Sequence, residues 1–357
     1  MGGQKGIASF YEAFSQLANV TLISTNNNDK PTAFHGDFLP VLPSTKMRYI
    51  NFLFFFKLAK IIQERKATHL ICEHPYLGWL GILAKYFCKT QLVIHSHNIE
   101  SLRFKSTGKW WWKCLWHYER LVHRIADVNF FITDEDRLFA IKHFNLVDTK
   151  CHTITYGFDF NKVPTEAERQ EAKNVLHQKH QIPLHHTLLL FNGTLDYGPN
   201  LDALNTILNN INPVFLANPK FEYAIIICGK GLPDAYQQLE SYKNKHIVYA
   251  GFVDDIRTYF KGSDIFLNPL VDGGGIKTKL VEALGYNLTC ISTVPGAIGV
   301  PVRITGNKLH IIESNNWTAF ATKTMEIDKS NGKVDAPFFT HFFWTNIAEK
   351  AIMAIIS

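Results

Sequence analysis

A glycine run followed by two lysines is the part of the sequence best suited to chemistry. The run covers 273–275, with Asp272 before it and Lys277 and Lys279 after it. Cations at the start of a helix are mildly unfavourable, because the exposed amides there already carry partial positive charge. A bound anion removes this conflict, since backbone amides and lysine ammonium groups both bind phosphate. The stretch therefore predicts a diphosphate-binding loop at the start of a helix.

The helix after this loop carries one glutamate inside an apolar pattern. We expect the helix at 276–284, closed by Gly285, with Glu282 well beyond the loop. That distance is too long for a phosphate contact, but a carboxylate there suits the hydroxyls of a ribose. In the alternative interpretation, Asp272 caps the helix, the lysines are solvated and Glu282 pairs with Lys279.

Three more segments join an apolar strand to a glycine turn. They lie at 191–200, 225–233 and 249–264. Strands that end in glycine at one edge of a parallel sheet create the crevice in which open α/β sheets bind ligands. These turns therefore indicate a ligand site at the carboxyl edge of a sheet, although each glycine taken singly could serve only a tight turn.

A polar cluster follows a strand in the first half of the chain. His95 and His97 share a face of that strand, because strand side chains alternate, and Asn98 and Glu100 follow. A pair of histidines can bind a metal, but no further cysteine or histidine nearby completes a set, so we predict no metal here. Polar side chains at the carboxyl end of a parallel strand indicate a ligand crevice, whereas His95 could simply be satisfied within the fold.

Eleven apolar strand candidates alternate with helical segments, which predicts an α/β protein with parallel sheets. So many strands fit two doubly wound, Rossmann-like domains better than one sheet. We expect domains at 1–157 and 186–340, joined by a polar linker at 158–185. No strand precedes the first glycine turn, so we expect either a truncated chain or a first domain without its opening strand. The strands are predicted at 20–25, 68–74, 91–97, 128–133, 152–158, 186–193, 223–229, 246–252, 263–270, 288–294 and 309–313.

The composition is that of a folded protein with a modest basic excess. The 357 residues carry a formal charge of +6, which permits an anionic ligand or membrane surface and does not demand nucleic acid. Six scattered cysteines, and no signal or membrane-spanning segment, favour the cytoplasm. Aromatic and basic residues are mixed at 103–116 and at 51–60, which predicts contact with the inner face of a membrane. In the alternative interpretation, Trp112 and Trp116 belong to a helix core.

Longer stretches resemble a known family. The segment 249–299, which includes "GFVDDIRTYFKGSDIFLNPL" and the glycine-lysine loop, resembles the C-terminal domain of family-4 (group 1) retaining glycosyltransferases. These enzymes have the GT-B fold, in which two Rossmann-like domains face each other across a cleft. "FNGTLDYGPNLDAL" resembles the start of that domain in a bacterial branch acting on cell-surface sugars. "HSHNIESLRF" and "GGQKGIASFYEAF" resemble parts of the N-terminal half, and 341–357 resembles the helix that crosses back to it.

The resemblance implies transfer of a sugar from a nucleotide-diphosphate sugar to a glycan or lipid-linked acceptor, with retention at the anomeric carbon. The departing phosphate would accept the acceptor's proton, so catalysis would rest on positive charge around the diphosphate. No metal or other cofactor is expected, because no D-x-D-like acid pair follows a strand. Asp254 or Asp255 is expected instead to cap a helix.

The resemblance also assigns the site residues by their position in the family's motifs. Glu282 matches the ribose-binding glutamate, Lys279 matches a lysine near the phosphates, and His97 matches a histidine beside the reacting carbon. These three are the predicted catalytic residues, with His97 acting by hydrogen bonding and not as a titrating base. The predicted donor-binding residues are Gly3, Asn192, Gly193, Thr194, Gly229, Phe252, Val253, Asp272, Gly274, Gly275, Ile276 and Lys277. The predicted acceptor-side residues are Asn98, Glu100 and Arg103.

Two departures from the family pattern leave other functions open. Many members carry a second glutamate eight positions before the ribose-binding one, where this chain has Gly274. Together with the missing opening strand, this allows a catalytically impaired protein that only binds nucleotide sugars. An epimerase of the same fold is a further alternative, but it needs paired acidic groups at the sugar ring, which the sequence does not place.

Overall fold

Parallel strands alternate with helices in two units of this computed structural model, which describes residues 2–272, 274–328 and 332–356. The first unit combines Met1–Asp159 with His341–Ser357, and the second unit is Phe160–Thr340. The strands are β1 (Thr21–Thr25), β2 (Asp37–Leu42), β3 (His69–Glu73), β4 (Gln91–Ser96), β5 (Val128–Phe131), β6 (Cys151–Thr153), β7 (Thr187–Asn192), β8 (Tyr223–Cys228), β9 (Ile247–Gly251), β10 (Ile265–Asn268), β11 (Thr289–Thr293) and β12 (Leu309–Ile312). The helices are α1 (Gly2–Phe14), α2 (Phe54–Arg65), α3 (Gly78–Leu83), α4 (Glu100–Ser106), α5 (Trp112–Ile125), α6 (Asp134–Ala140), α7 (Glu166–His180), α8 (Gly198–Thr206), α9 (Asn212–Leu216), α10 (Ile256–Gly262), α11 (Thr278–Gly285), α12 (Trp317–Glu326), α13 (Ala336–Phe342) and α14 (Trp344–Ile356). Within the described ranges, no helix is long and apolar enough to cross a bilayer.

All eleven predicted strands are present, and each is shorter than predicted. Strand β2 was not predicted. It contains Pro40, which lacks a backbone donor and argues against a strand in a sequence pattern. The structure tolerates this proline because β2 pairs only with β1, in a two-stranded parallel sheet.

The first unit holds two parallel sheets, the pair β1–β2 and the four-stranded order β3-β4-β5-β6. Residues of β1 and of β3 line the same cavity, of about 1390 Å³, so the two sheets do not join. Helix α1 comes before every strand of the described chain. Helix α14 packs in this unit, where the rings of Phe10 and Trp344 lie 6.4 Å apart and His69 bonds to the backbone oxygen of Ile355.

The second unit is one six-stranded parallel sheet with the order β12-β11-β10-β7-β8-β9. Its central strands are buried on both faces, which explains why they appear in the sequence as continuous apolar runs. Asp255 caps α10 by accepting the N–H of Arg257 at 3.0 Å, as the sequence predicts for this aspartate.

The segment predicted as a linker, 158–185, contains a helix that packs within the second unit. Leu176 of α7 is fully buried and lies against Gly262 of α10. Lys173, one turn earlier, pairs with Asp264 at 2.8 Å. The other faces of α7 are polar and exposed, and this is why the sequence resembles a linker.

Candidate functional site

The strand order of the second unit places a ligand crevice between β7 and β10. The chain builds outward from β7 to β9 and then returns to β10 on the other side, so the connections after β7 and β10 leave in opposite directions. Asn192 ends β7, Gly193 and Thr194 follow it, and the glycine-lysine loop follows β10. Lys279 Nζ donates to the backbone oxygen of Asn192 at 3.0 Å, which joins the two sides. The predicted phosphate-binding residues therefore meet at this switch point.

Lys279 is a half-buried cation. Burial lowers the pKa of its ammonium group to about 8, while the carboxylate of Glu282 acts in the opposite direction. The side-chain oxygen of Asn192 is also buried and has no hydrogen-bond partner among the described residues. A cation removed from water is costly unless a negative charge compensates it. The ammonium group of Lys279 therefore suits an anion, whereas the Asn192 oxygen, which can only accept, suits a hydroxyl donor.

The glycines at the neighbouring strand ends have a structural explanation. A Cβ on Gly229, which follows β8, would lie 1.8 Å from the backbone oxygen of Gly193. The N–H of Gly229 donates to Gly251 at the end of β9, at 2.7 Å. These strand ends approach one another so closely that only glycine fits at Gly229. Its presence is thus explained by packing, with or without a ligand.

The glycine-lysine loop differs in detail from the prediction. Helix α11 begins at Thr278, two residues later than predicted, and Lys277 Nζ donates to the backbone oxygen of Gly275 at 2.8 Å. Lys277 therefore folds back onto its own loop. Gly275 has a φ of 67°, a left-handed conformation that favours glycine. Gly274 is exposed and Ile276 is half-buried.

The predicted end of this helix is wrong. Gly285 is the last helical residue, and the left-handed turn is made two residues later by Asn287, whose φ is 63°. The N–H groups of Asn287 and Leu288 donate back to the last turn of α11, which completes a Schellman motif. Asparagine can take this conformation, so the helix continues through the glycine.

The remaining predicted donor residues lie at three places. Asp272 is exposed in the loop after β10, next to Gly273, which lies outside the described residues. Phe252 is 69% exposed after β9, and Val253 beside it is half-buried. Gly3 lies in the first turn of α1, in the first unit.

In the first unit, the ends of β3 and β4 bring a carboxylate between two histidines. Glu73 ends β3, and its Oε2 lies 2.5 Å from Nε2 of His97. Its Oε1 lies 3.0 Å from Nδ1 of His95 and accepts the hydroxyl of Tyr11 at 2.8 Å. Glu73 stands opposite His95 in the parallel register of β3 and β4, so these groups meet at one edge of the sheet.

Glu73 is ionised in this setting. Burial alone would raise its pKa, but the charges and hydrogen bonds of His95 and His97 hold the pKa of the carboxyl well below its usual range. An ionised carboxylate can only accept, so the facing nitrogen of each histidine must donate. Glu73 thereby fixes the orientation of the His97 ring, with Nε2 toward the carboxylate.

A second buried carboxylate lies beside this cluster. The rings of His74 and His97 are 4.5 Å apart, and Nδ1 of His74 is 3.2 Å from Oε1 of Glu100. Oε2 of Glu100 accepts the hydroxyl of Tyr76 at 2.6 Å and Nε of Arg103 at 2.7 Å. Burial opposes ionisation, yet the nearby His74 ring and the hydroxyl of Tyr76 lower the pKa of Glu100 to about 2.

The predicted acceptor-side residues differ in their exposure. The side chain of Glu100 is 1% exposed, that of Arg103 is 43% exposed, and Asn98 is half-buried between β4 and α4. Glu119 accepts the N–H groups of Glu100 and Ser101 at 2.8 and 3.0 Å, which fixes the start of α4. Glu100 therefore positions its neighbours, whereas Asn98 and Arg103 can reach a ligand.

Sequence reasoning missed Glu73, His74 and Tyr76, and the stated reason for excluding a metal is wrong. Ligand atoms of Glu73, His95 and His97 lie within 4.8 Å of one another, so the histidine pair has a third potential ligand. The sequence does contain a pattern that indicates Glu73 as this third ligand. The dipeptide Glu73-His74 ends one strand just as the histidines end the next, and neighbouring parallel strands end at the same edge of a sheet.

Both halves of the chain match family models of sugar-transferring enzymes. Residues 186–328 match the model described as "Glycosyl transferases group 1". Residues 2–162 match the model described as "Glycosyltransferase Family 4". The chain belongs to the family-4, group-1 glycosyltransferases. Each match includes one of the two clusters described above, and the predicted membership of this glycosyltransferase family is confirmed.

Individual relatives are distant but span most of the glycosyltransferase. An uncharacterised 44.6 kDa protein in the cps region of Klebsiella pneumoniae is 24% identical over 285 residues, covering 77% of this chain and 69% of that protein. The O-antigen biosynthesis glycosyltransferase WbnH of Escherichia coli is 21% identical over 295 residues, covering 79% and 74%. The crystal structure of Anabaena Alr3699/HepE in complex with UDP and glucose matches with a TM-score of 0.69 at 13% identity, covering 100% of this chain and 96% of that one. This likeness confirms the predicted α/β fold of two Rossmann-like domains.

Proposed function

We propose that this glycosyltransferase moves a hexosyl-type sugar from a nucleotide-diphosphate sugar to a glycan or lipid-linked acceptor, with retention at the anomeric carbon. We place the reaction in the cytoplasm, in cell-surface polysaccharide synthesis. The E. coli relative is named for O-antigen biosynthesis, and the Anabaena structure holds UDP and glucose, which supports the proposal. The observation that carries it is the half-buried cation Lys279 at the β7–β10 crevice.

The donor's diphosphate would bind between Lys279 and the loop amides at 274–276. The N-terminus of α11 adds partial positive charge there. These groups would stabilise the departing nucleotide diphosphate, which is an anion, without a metal ion. Glu282 would accept the ribose hydroxyls, and Phe252 and Gly229 would lie beside the base. This arrangement requires no metal for donor binding.

Transfer breaks the bond between the anomeric carbon and the diphosphate oxygen, and it forms a bond from that carbon to the acceptor oxygen. The acceptor's hydroxyl proton passes to the departing phosphate oxygen, so no side chain has to act as a base. His97 would hydrogen-bond near the reacting carbon, with its ring oriented by Glu73. Asn98 and Arg103 would contact the acceptor.

Lys279→Ala tests the donor site. Loss of a charged hydrogen bond should weaken nucleotide diphosphate binding by roughly 1.5–3 kcal/mol, measured by calorimetry. Lys220→Ala is the matched control, because Lys220 is exposed just before β8 begins, at the opposite edge of the sheet. Thermal shift with a panel of nucleotide sugars would then identify the donor. Equal affinities for wild type and Lys279→Ala would reject this site.

Glu73→Gln tests the oriented histidine, and product analysis tests retention. The amide cannot accept from both histidines, so transfer should fall by roughly tenfold or more while donor affinity is unchanged. Glu73→Asp should recover part of the rate, because it restores the carboxylate. NMR of the product gives the configuration at the new linkage, and an inverted configuration would overturn the retention proposal alone.

A further inference from the structure

Large apolar side chains form an exposed surface on the first unit, which we call the phenylalanine patch. Its members come from the segment leading into α2, from α2 itself, and from the π-helical turn Ala84–Cys88 that follows α3. They are Ile50, Phe52, Leu53, Phe56, Tyr86 and Phe87, each 56–74% exposed. Single exposed apolar residues are ordinary, but a group of this size on a folded protein indicates a binding surface.

Ring contacts make the patch continuous. Phe52 lies 6.3 Å from Phe56, and Phe55 connects Phe56 to Phe87 with centroid distances of 5.7 and 5.9 Å. Helix α2 already buries a separate face through Leu58 and its neighbours in the core. The outward phenylalanines are therefore additional to the side that packs the unit.

The sequence around the patch is predominantly basic, with Glu64 the one acidic residue of α2. The segments 38–63 and 74–99 contain no aspartate or glutamate, while they contain Lys46, Arg48, Lys57, Lys60, Lys85 and Lys89. Lys85 is paired with Asp127 and Lys60 lies 3.7 Å from Glu64, while Lys46, Lys57 and Lys89 are exposed. The surface of an anionic bilayer has phosphates outside and acyl chains beneath them. Basic side chains around the patch suit the phosphates, and the apolar and aromatic side chains suit the acyl chains.

We propose that the phenylalanine patch docks the enzyme on an anionic phospholipid bilayer. The phenyl rings enter the boundary between headgroups and acyl chains, and the surrounding lysines contact lipid phosphates. This binding is independent of sugar transfer and of the donor site.

The proposal moves the membrane contact away from the tryptophans at 103–116. Trp111 packs on Phe104 at 4.6 Å and Trp116 packs on Phe144 at 5.7 Å, so both serve the fold. Trp110, at 87% exposure, is the outward member of that group. The structure therefore supplies two surfaces that one experiment can compare.

Sedimentation of the full chain with vesicles tests the proposal. Phosphatidylcholine vesicles containing phosphatidylglycerol should bind the wild type, and the triple variant Phe52→Ser, Phe56→Ser, Phe87→Ser should weaken binding about tenfold or more. Lys57→Gln with Lys60→Gln should weaken binding only when phosphatidylglycerol is present, and salt should reduce the difference.

Two exposed apolar residues serve as controls. Trp110→Ser, and Leu184→Ser in the second unit at 74% exposure, should bind vesicles like the wild type. An unchanged far-ultraviolet circular dichroism spectrum and melting temperature in every variant show that both units are folded. Failure of the wild type to bind, or equal loss in Trp110→Ser, would overturn the proposal. A triple variant that binds vesicles normally but dissociates from a dimer to a monomer would show that the patch joins two copies of the chain instead.

Discussion

Donor affinity should fall at alkaline pH, because Lys279 must be protonated to bind a diphosphate. Burial lowers the pKa of this lysine to about 8 in the unliganded enzyme. A bound diphosphate places negative charge beside the ammonium group and favours its charged form, which raises its pKa again. Binding therefore takes up a proton at any pH above the unliganded pKa.

The size of the effect follows from that pKa. With a pKa of about 8, roughly one-tenth of Lys279 is uncharged at pH 7 and roughly nine-tenths at pH 9. If only the protonated form binds, the dissociation constant should increase about tenfold between these pH values, or ~1.4 kcal/mol. Binding at pH 9 should take up about 0.9 proton per site, against about 0.1 at pH 7.

Isothermal titration calorimetry measures both quantities. Titrations of nucleotide diphosphate in buffers with different ionisation enthalpies give the number of protons taken up. Lys279→Arg is the matched control, because a guanidinium stays charged across this range. Its affinity should be nearly independent of pH, apart from any titration of the ligand that both proteins share.

Two results would refute the reasoning. Wild-type affinity that is equal at neutral and alkaline pH would mean that Lys279 does not face the diphosphate. The same alkaline loss in Lys279→Arg would assign the titration to another group.

Four further outcomes are expected. His97→Ala should keep donor affinity within about threefold but reduce transfer a hundredfold or more, in a radiolabel transfer assay; normal turnover would remove this histidine from the site. A chelator should leave turnover unchanged, and activity lost to it and restored by magnesium or manganese would contradict metal-free transfer. Burial lowers the pKa of His123 to about 4, so this residue should cost about 2 kcal/mol of stability by pH 5 relative to pH 7. Urea titrations should show a loss over this range that is smaller by about that amount in His123→Gln than in wild type, and an equal loss in both proteins would contradict it. Gly229→Ala should cost roughly 1–3 kcal/mol of stability because its Cβ meets Gly193, whereas Gly198→Ala, which meets nothing within 4 Å, should cost none; equal melting temperatures would contradict the close approach.

The sequence was sufficient for the strands because parallel strands buried on both faces appear as unbroken apolar runs. The local sequence pattern gave wrong predictions for two elements whose structure is determined by tertiary packing. Strand β2 was not predicted because it contains Pro40. A proline argues against a central strand but is tolerated at a sheet edge, and the sequence does not show that β2 lies at an edge. The segment of α7 was predicted as a linker because most of its residues are polar. Its buried side, where Leu176 packs into the second unit, is too narrow to stand out in the sequence.

The candidate sites show the same division between local and non-local information. The glycine-lysine loop and Lys279 are neighbours in sequence, so their chemistry could be read directly. Glu73 is 24 residues from His97, and its role depends on the pairing of β3 with β4, which no local pattern specifies. A systematic comparison of the last residues of successive strands would have found it.

The residues at the β7–β10 crevice differ in how far folding alone explains them. Gly229 is required by the backbone of Gly193, so it would be present in a protein that binds nothing. Lys279 is different, because burying an ammonium group costs stability and its hydrogen bond to the Asn192 carbonyl offsets only part of that cost. A methionine of similar length would fill the same space without the charge. The fold gains little from a cation at this position, whereas a diphosphate ligand gains a great deal, and so the pH dependence of donor affinity tests the transferase proposal at its strongest point.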